Sequence, residues 1–211
     1  MRQNREPADP PQRLIVGISG ASGVVYGARL LELLRPLGVE THLVMSRSAE
    51  VTLALETALK PADLRACATV AHAIGDLAAP ISSGSFPTIG MIVAPCSIRS
   101  MAEIATGVTT TLLTRAADVT LKEQRRLVLL VRETPLHTGH LRTMAALSEM
   151  GAIIAPPVPA FYAKPQTIEE MIDQTLGRVL DLFGLDAGTV RRWGEPPEEG
   201  VRPLRAKPKR A

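Results

Sequence analysis

The stretch Leu14-Ile15-Val16-Gly17-Ile18-Ser19-Gly20-Ala21-Ser22-Gly23 runs straight into Val24-Val25-Tyr26-Gly27-Ala28-Arg29-Leu30-Leu31, and it constrains the fold more than any other part of the chain. A continuous apolar run, a Gly/Ser turn and then apolar residues at helical spacing read as a buried strand delivered to a helix N-terminus. The first N–H groups of a helix lack intrahelical partners and carry the positive end of its dipole, so this turn is expected to hold an anion. Glycine lets the backbone approach a ligand, and Ser19 and Ser22 add hydroxyl donors. The plainer alternative is a strand-to-helix crossover whose small residues serve packing alone.

Several familiar phosphate and nucleophile motifs do not fit. The glycines at 17, 20 and 23 miss the G-x-G-x-x-G register, and the next strand ends Val44-Met45-Ser46 with no acid for a ribose hydroxyl. No Gly-Lys-Ser/Thr follows, and Gly20-Ala21-Ser22-Gly23-Val24 lacks the last glycine of a nucleophile elbow. A phosphate monoester is left as the expected ligand.

The strand-to-helix pattern then repeats. Strands are expected over 39–45, 89–94, 127–131 and 152–155, the third of these five broken at Pro95-Cys96-Ser97. Helices are expected over 24–37, 47–59 (stopped by Pro61), 98–105, 109–121, 137–150 and 167–184, and the Gly/Pro/Ser-rich stretch 71–88 reads as a long loop able to cover a site. Continuous rather than alternating apolar strands specify an α/β fold, a parallel sheet covered by helices on both faces. Ligands in such sheets sit outside the carboxyl ends of the strands, here the stretches 19–23, Ser46, 95–100, 132–133 and 155–162.

A chain of 211 residues with 45% hydrophobic and 21% charged residues suits one domain, expected over 14–194. Its two cysteines, Cys67 and Cys96, form no disulfide or zinc pattern, and no apolar run is long enough for a membrane span, so a soluble cytoplasmic protein is expected. Residues 1–13 carry three bases against Glu6 and Asp9, and 195–211 five against Glu195, Glu198 and Glu199, so these two tails, expected to be disordered, hold the whole net charge of +3. With a neutral body and 3% aromatics, nucleic acid is not an expected partner.

Arg115, Lys122, Arg132 and Arg178 are the local cations able to bind a second anion, because guanidinium groups pair phosphate oxygens bidentately and Lys supplies a compact charge. Glu56 and Glu133 are the carboxylates able to move protons. Glu56 sits among Leu53, Ala54, Leu55 and Ala58, where a half-buried acid with a raised pKa and an ordinary surface residue are both open. His137 and His140 lack a third ligand, so no metal is expected, and Cys96 has no base beside it and reads as structural.

The segments Gly17-Ile18-Ser19-Gly20-Ala21-Ser22-Gly23, Ala94-Pro95-Cys96-Ser97-Ile98, Thr114-Arg115-Ala116-Ala117-Asp118-Val119-Thr120-Leu121-Lys122-Glu123, Val131-Arg132-Glu133-Thr134-Pro135-Leu136-His137 and Pro156-Pro157-Val158-Pro159-Ala160-Phe161-Tyr162 together resemble the flavin prenyltransferase family. The resemblance covers about residues 14–194 and ends on Arg192-Trp193-Gly194. It implies a three-layer Rossmann-like, flavodoxin-like fold that joins a dimethylallyl group from dimethylallyl phosphate to FMN at N5 and C6. The product, prenylated FMN, serves a partner decarboxylase in ubiquinone biosynthesis or aromatic-acid breakdown. By resemblance FMN is held by Gly20, Ala21, Ser22, Ser46, Ser97, Ile98, Arg99, Ser100 and Arg132, and the prenyl donor by Lys122, Tyr162 and Arg178 with Arg132, Arg115 being a further candidate. Ser22, Glu56 and Glu133 line the reacting region and Trp193 closes it; the assembly is a homo-oligomer, typically a dodecamer, with sites shared between subunits. The chain departs from the family at Gln124-Arg125-Arg126-Leu127 and at Arg99-Ser100, which leaves the phosphate contacts open. Two other readings are an FMN-dependent decarboxylase of cysteine-ended substrates, opposed by the lack of a Pro-x-Met-Asn segment, and a non-catalytic flavin carrier, opposed by the retained cations.

Overall fold

A computed structural model describes residues 12–194 of the chain. The expected tails, apart from Gln12 and Arg13, lie outside the described residues.

Six strands form one parallel sheet: β1 (Arg13–Ile18), β2 (Glu40–Met45), β3 (Val70–His72), β4 (Gly90–Cys96), β5 (Arg126–Val131) and β6 (Ile153–Ile154). Their order is β3-β2-β1-β4-β5-β6. Without β3 this is the flavodoxin-like order, and β3 adds one short strand at an edge. The chain winds outward from β1 in one direction and from β4 in the other, so the switch point lies between these two strands.

The helices are α1 (Val24–Leu34), α2 (Arg47–Glu56), α3 (Pro61–Cys67), α4 (Ile98–Ala105), α5 (Leu112–Lys122), α6 (Thr138–Glu149) and α7 (Ile168–Asp181). Side chains alternate across each strand, so Leu14, Val16, Ile18, Val128 and Leu130 build one core with α1 and α7. Ile15, Met91, Val93, Leu127 and Leu129 build the other with α4 and α5. Because both faces are covered, the central strands β1, β4 and β5 are apolar beyond their first residues, which is the continuous pattern seen in the sequence. Gly27 permits a close helix-to-strand approach: a Cβ there would lie 2.5 Å from the Ala94 carbonyl oxygen, so α1 seats against β4 only without a side chain at this point.

Three expectations are corrected. Helix α2 ends at Glu56, and Pro61 opens a separate helix instead of stopping the earlier one, since a proline at the first helical position loses no hydrogen bond. Strand β4 continues through Pro95 to Cys96; the proline falls where the pairing with β5 shifts register, between Val93 and Cys96, so no ladder donor is missed. Stretch 71–88 is not a free-standing loop. It begins in β3, buries Ala79 and Ile81, and is fastened to α5 and β5 by Arg115 on the Ser82 carbonyl at 3.2 Å and by Arg125 on the Gly84 and Phe86 carbonyls at 2.6 and 2.7 Å.

Candidate active site

At the switch point Ser19 acts as a splint. Fully buried, it donates its hydroxyl to the Pro95 carbonyl at 3.0 Å and accepts the Ser97 N–H at 2.7 Å, while its own N–H reaches Pro95 at 3.2 Å. The expectation that Ser19 donates to a ligand is therefore corrected, because its hydroxyl and its N–H are both spent joining β1 to β4.

The turn that follows is also partly occupied by the protein itself. Gly23 adopts the left-handed conformation (φ 92°), and its N–H and that of Val24 donate to the Glu56 carboxylate at 2.8 and 3.1 Å. The start of α1 thus already holds an anion, and it is Glu56. Burial raises the Glu56 pKa, but the Ser22 hydroxyl, the two amides and the charge of Arg132 outweigh it and hold the carboxyl below its ordinary value. The half-buried reading with a raised pKa does not stand: Glu56 is exposed, as the surface reading has it, and it also serves as a carboxylate cap on α1. The same long-range charge of Arg132 acts on Tyr26, whose phenol burial raises, so β5 brings Arg132 to the rim beside Ser22, Tyr26 and Glu56. The Arg132 N–H is anchored on the Cys96 carbonyl at 3.0 Å. Glu133 is exposed and turns its carboxylate back onto the Thr134 N–H at 3.0 Å.

Three other helix N-termini converge on a neighbouring cleft of about 510 Å3. Its walls include Ser46, Arg47 and Ser48 at the start of α2, Ser97, Arg99 and Ser100 at α4, and Thr110 and Thr111 at α5. The caps Ser46, Ser97 and Thr111 accept the N–H groups of Ala49, Ser100 and Thr114 at 3.1, 3.2 and 3.3 Å, leaving earlier first-turn amides such as those of Ser48 and Arg99 without intrahelical acceptors. Such a donor set suits a phosphate. Arg99 pairs with Glu103 at 2.8 Å, while Ile98 packs its side chain against the core. Gly20 borders this space, since a Cβ there would lie 2.2 Å from the Ser48 hydroxyl oxygen; Ala21 gives its N–H to the Ser19 carbonyl at 2.9 Å. Arg47, Ser48, Thr110 and Thr111 were missed from sequence, although Ser-x-x-Ala after one apolar strand and Thr-x-x-Thr before an apolar helical pattern are legible cap signals.

A second group lies along α7. The Tyr162 hydroxyl accepts from Gln174 at 3.2 Å, Tyr162 meets Trp193 edge-on at 5.5 Å, and Arg178 and Arg192 share Asp181. Trp193 is 83% exposed in the single chain. Lys122 pairs with Glu123 at the far end of α5, and Arg115 pairs with Asp118 at 2.7 Å. Lys122 precedes β5 and Arg132 follows it, so the strand, about 20 Å long at its usual rise, separates them. Within one chain Lys122 is therefore not brought beside Arg132.

A family profile described as Flavoprotein matches residues 2–180. The flavin prenyltransferase UbiX of Salmonella typhimurium is 59% identical over 175 residues, which span 82% of this chain and 93% of that protein. The chain belongs to the flavin prenyltransferase family. Among solved structures, AnUbiX (PadA1) in complex with FMN and dimethylallyl pyrophosphate superposes with a TM-score of 0.87 at 52% identity, covering 89% of this flavin prenyltransferase and 100% of that chain. A dodecameric FMN-dependent UbiX-like decarboxylase from Escherichia coli O157:H7 superposes with a TM-score of 0.85 at 50% identity, covering 87% and 100%.

Cys96 is fully buried, and burial pushes its thiol pKa up to about 12, which disfavours the thiolate. Among the described residues no group of His, Cys, Asp and Glu is arranged to hold a metal, and no helix is long and apolar enough to cross a membrane.

Proposed function

We infer that this chain transfers a dimethylallyl group from dimethylallyl phosphate to N5 and C6 of reduced FMN, and that the prenylated flavin passes to a partner decarboxylase. One observation carries the reading: a cleft ringed by three helix N-termini opens beside the Ser22, Glu56 and Arg132 cluster at the switch point. The FMN phosphate takes the first-turn amides and hydroxyls of Ser46, Ser97 and Ser100, and the ring runs past Gly20, Ala21 and Ser22 toward Arg132. The relative solved with FMN and dimethylallyl pyrophosphate supports both substrates.

Breaking an allylic C–O bond leaves charge on the departing phosphate and a developing cation on the allyl group. Lys122, Arg115, Tyr162 and Arg178, with Arg132, meet the first demand through charge-assisted hydrogen bonds. Phe161, Tyr162 and Trp193 meet the second by shielding the cation from water and turning π faces to it. Bonding at N5 releases the N5 proton; closure at C6 then adds a proton to the allyl double bond and takes one from C6, so one proton leaves overall while the phosphate departs. Ser22, donating to a carboxylate held in its charged form, passes a proton toward Glu56, and Glu133 is the second acceptor.

Since one chain keeps Lys122 away from Arg132, neighbouring copies complete each site. The exposure of Val158, Phe161 and Trp193, at 71, 75 and 83%, supports an assembly that covers them, and the dodecameric relative supports its size. A cytoplasmic location accords with two free cysteines.

The test is direct. Protein given reduced FMN and dimethylallyl monophosphate, with the diphosphate as a parallel arm, yields a flavin heavier by one isoprenyl unit in mass spectrometry. Unmodified FMN in both arms, beside a competent relative as positive control, overturns the activity.

A further inference from the structure

Gln174 is a polar side chain only 3% exposed, in the middle of α7, and all of its hydrogen-bonding groups are committed. Its Oε1 accepts the Arg191 N–H at 2.8 Å, and its Nε2 donates to the Arg191 carbonyl at 3.0 Å and to the Tyr162 hydroxyl at 3.2 Å. The paired bonds to one backbone unit fix which end of the amide is which, because only oxygen can accept the N–H and only nitrogen can donate to the carbonyl. The group facing the phenol is therefore a donor. Tyr162 Oη must accept from it, and no other described group hydrogen-bonds that phenol, so its own O–H is left to donate elsewhere. Arg191 further ties the segment to Ala163 through a guanidinium bond at 3.1 Å, and Trp193 packs edge-on to the Tyr162 ring. Gln174 is the point where α7, the turn at Tyr162 and the strand-like segment before Trp193 are joined.

We propose that Gln174 is a positioning residue for the prenyl donor: by donating to Tyr162 Oη it orients the phenol so that the O–H points at the donor phosphate. The proposal rests on the reading above that Tyr162 meets this phosphate. A glutamine is needed because the position demands an acceptor for Arg191 and two donors at once. A carboxylate here would accept the Tyr162 proton and withdraw it from the phosphate; an apolar side chain would lose all three bonds yet leave that proton unclaimed.

This ordering gives the test. Steady-state kinetics on the full chain with dimethylallyl phosphate varied, FMN saturating and prenylated flavin measured, are compared for wild type, Gln174→Glu, Gln174→Met, Tyr162→Phe and the Gln174→Glu/Tyr162→Phe double variant. Tyr162→Phe is expected to raise the donor KM about tenfold, the weight of one hydrogen bond to a charged group. Gln174→Glu is expected to do the same, with the deficit growing from about pH 6.5 to about pH 8.5 as the introduced carboxyl ionises. The double variant is no worse than either single one, because both remove the same O–H from the phosphate. Gln174→Met, although it breaks more bonds, raises KM less than Gln174→Glu, and FMN affinity stays within about twofold in all of them. Additive effects of the two single changes, or a larger KM for Gln174→Met than for Gln174→Glu, overturn the positioning role and mark Gln174 as structural only. A silent Tyr162→Phe instead overturns the assignment of Tyr162 to the donor, and absence of prenylated flavin in wild type overturns the activity itself. If Gln174→Glu does not fold, the Gln174→Met/Tyr162→Phe pair decides by the same additivity criterion.

Discussion

Glu56 illustrates how a single carboxylate can take the place of a ligand. The Gly/Ser turn was read as an anion site from its glycines and helix N-terminus, and an anion is there, but it arrives from the end of α2, more than thirty residues away in sequence. The lowered pKa has a signed consequence. A carboxyl whose folded pKa lies below its unfolded one stabilises the fold above the ordinary carboxylate range and loses that contribution as pH falls through the lowered value. Glu56→Gln keeps an oxygen acceptor for Gly23 and Val24 but no charge. We expect it to cost about 1 kcal/mol, the scale of a lost cap, at neutral pH and nearly nothing in acid, with prenyl transfer falling while FMN still binds. Thermal melts at neutral and acidic pH, with FMN titrations, check this; an equal loss of stability at both pH values counts against the capping charge. The acceptor role of Glu56 was legible in the sequence only as a choice between burial and exposure. Local spacing says nothing about which distant amides a side chain will meet.

At the level of elements, the edge strand β3 is the one the sequence reading passed over, since three residues of mixed burial carry no period. What secures it is a chain of side chains. Arg13 donates to Glu40 at 3.1 Å, Glu40 meets His42 Nε2 at 2.9 Å, and His42 Nδ1 meets His72 Nε2 at 3.0 Å, with Phe86 packed edge-on to His42. Burial first, and then the neighbouring His42, lower the pKa of His72 against the opposing pull of Asp76. A base with a lowered folded pKa binds fewer protons than the unfolded chain, so its contribution is complete above the ordinary value near 6.5 and falls away as pH drops below it. Hydrogen exchange of residues 70–75 should quicken, relative to His72→Gln, between about pH 7 and about pH 5. Identical profiles for the two proteins would remove the histidine pair as the cause. Ile74 follows this strand, takes the Leu112 N–H on its carbonyl at 2.8 Å and lines the phosphate cleft, so the edge strand bears on the site.

At the scale of the molecule, α1 and α7 are locked by Arg29 on Asp173 at 2.7 and 2.9 Å, which sets the α7 ligand group on one side of the sheet while Lys122 stays at the far end of α5. A site shared between copies makes a clear prediction. Lys122→Ala and Glu56→Gln are each impaired alone, but subunits mixed by joint refolding or co-expression regain activity, up to roughly a quarter of wild type for random assembly in which each site draws the two residues from different copies. No recovery beyond the sum of the parents would mean that each chain carries a whole site. Apolar runs and helical spacing alone specified the parallel α/β sheet, five of its six strands and the carboxyl-end rim that holds Ser46 and Ser97. These signals act over a few residues. Packing settled the rest: that Ser19 is a splint, that Glu56 fills the first helix N-terminus, that the cleft is walled by the starts of α2, α4 and α5, and that Lys122 lies away from Arg132. Each of these depends on which strand lies beside which and how far apart their ends are, and that is set by packing across the sheet, where residues distant in sequence become neighbours.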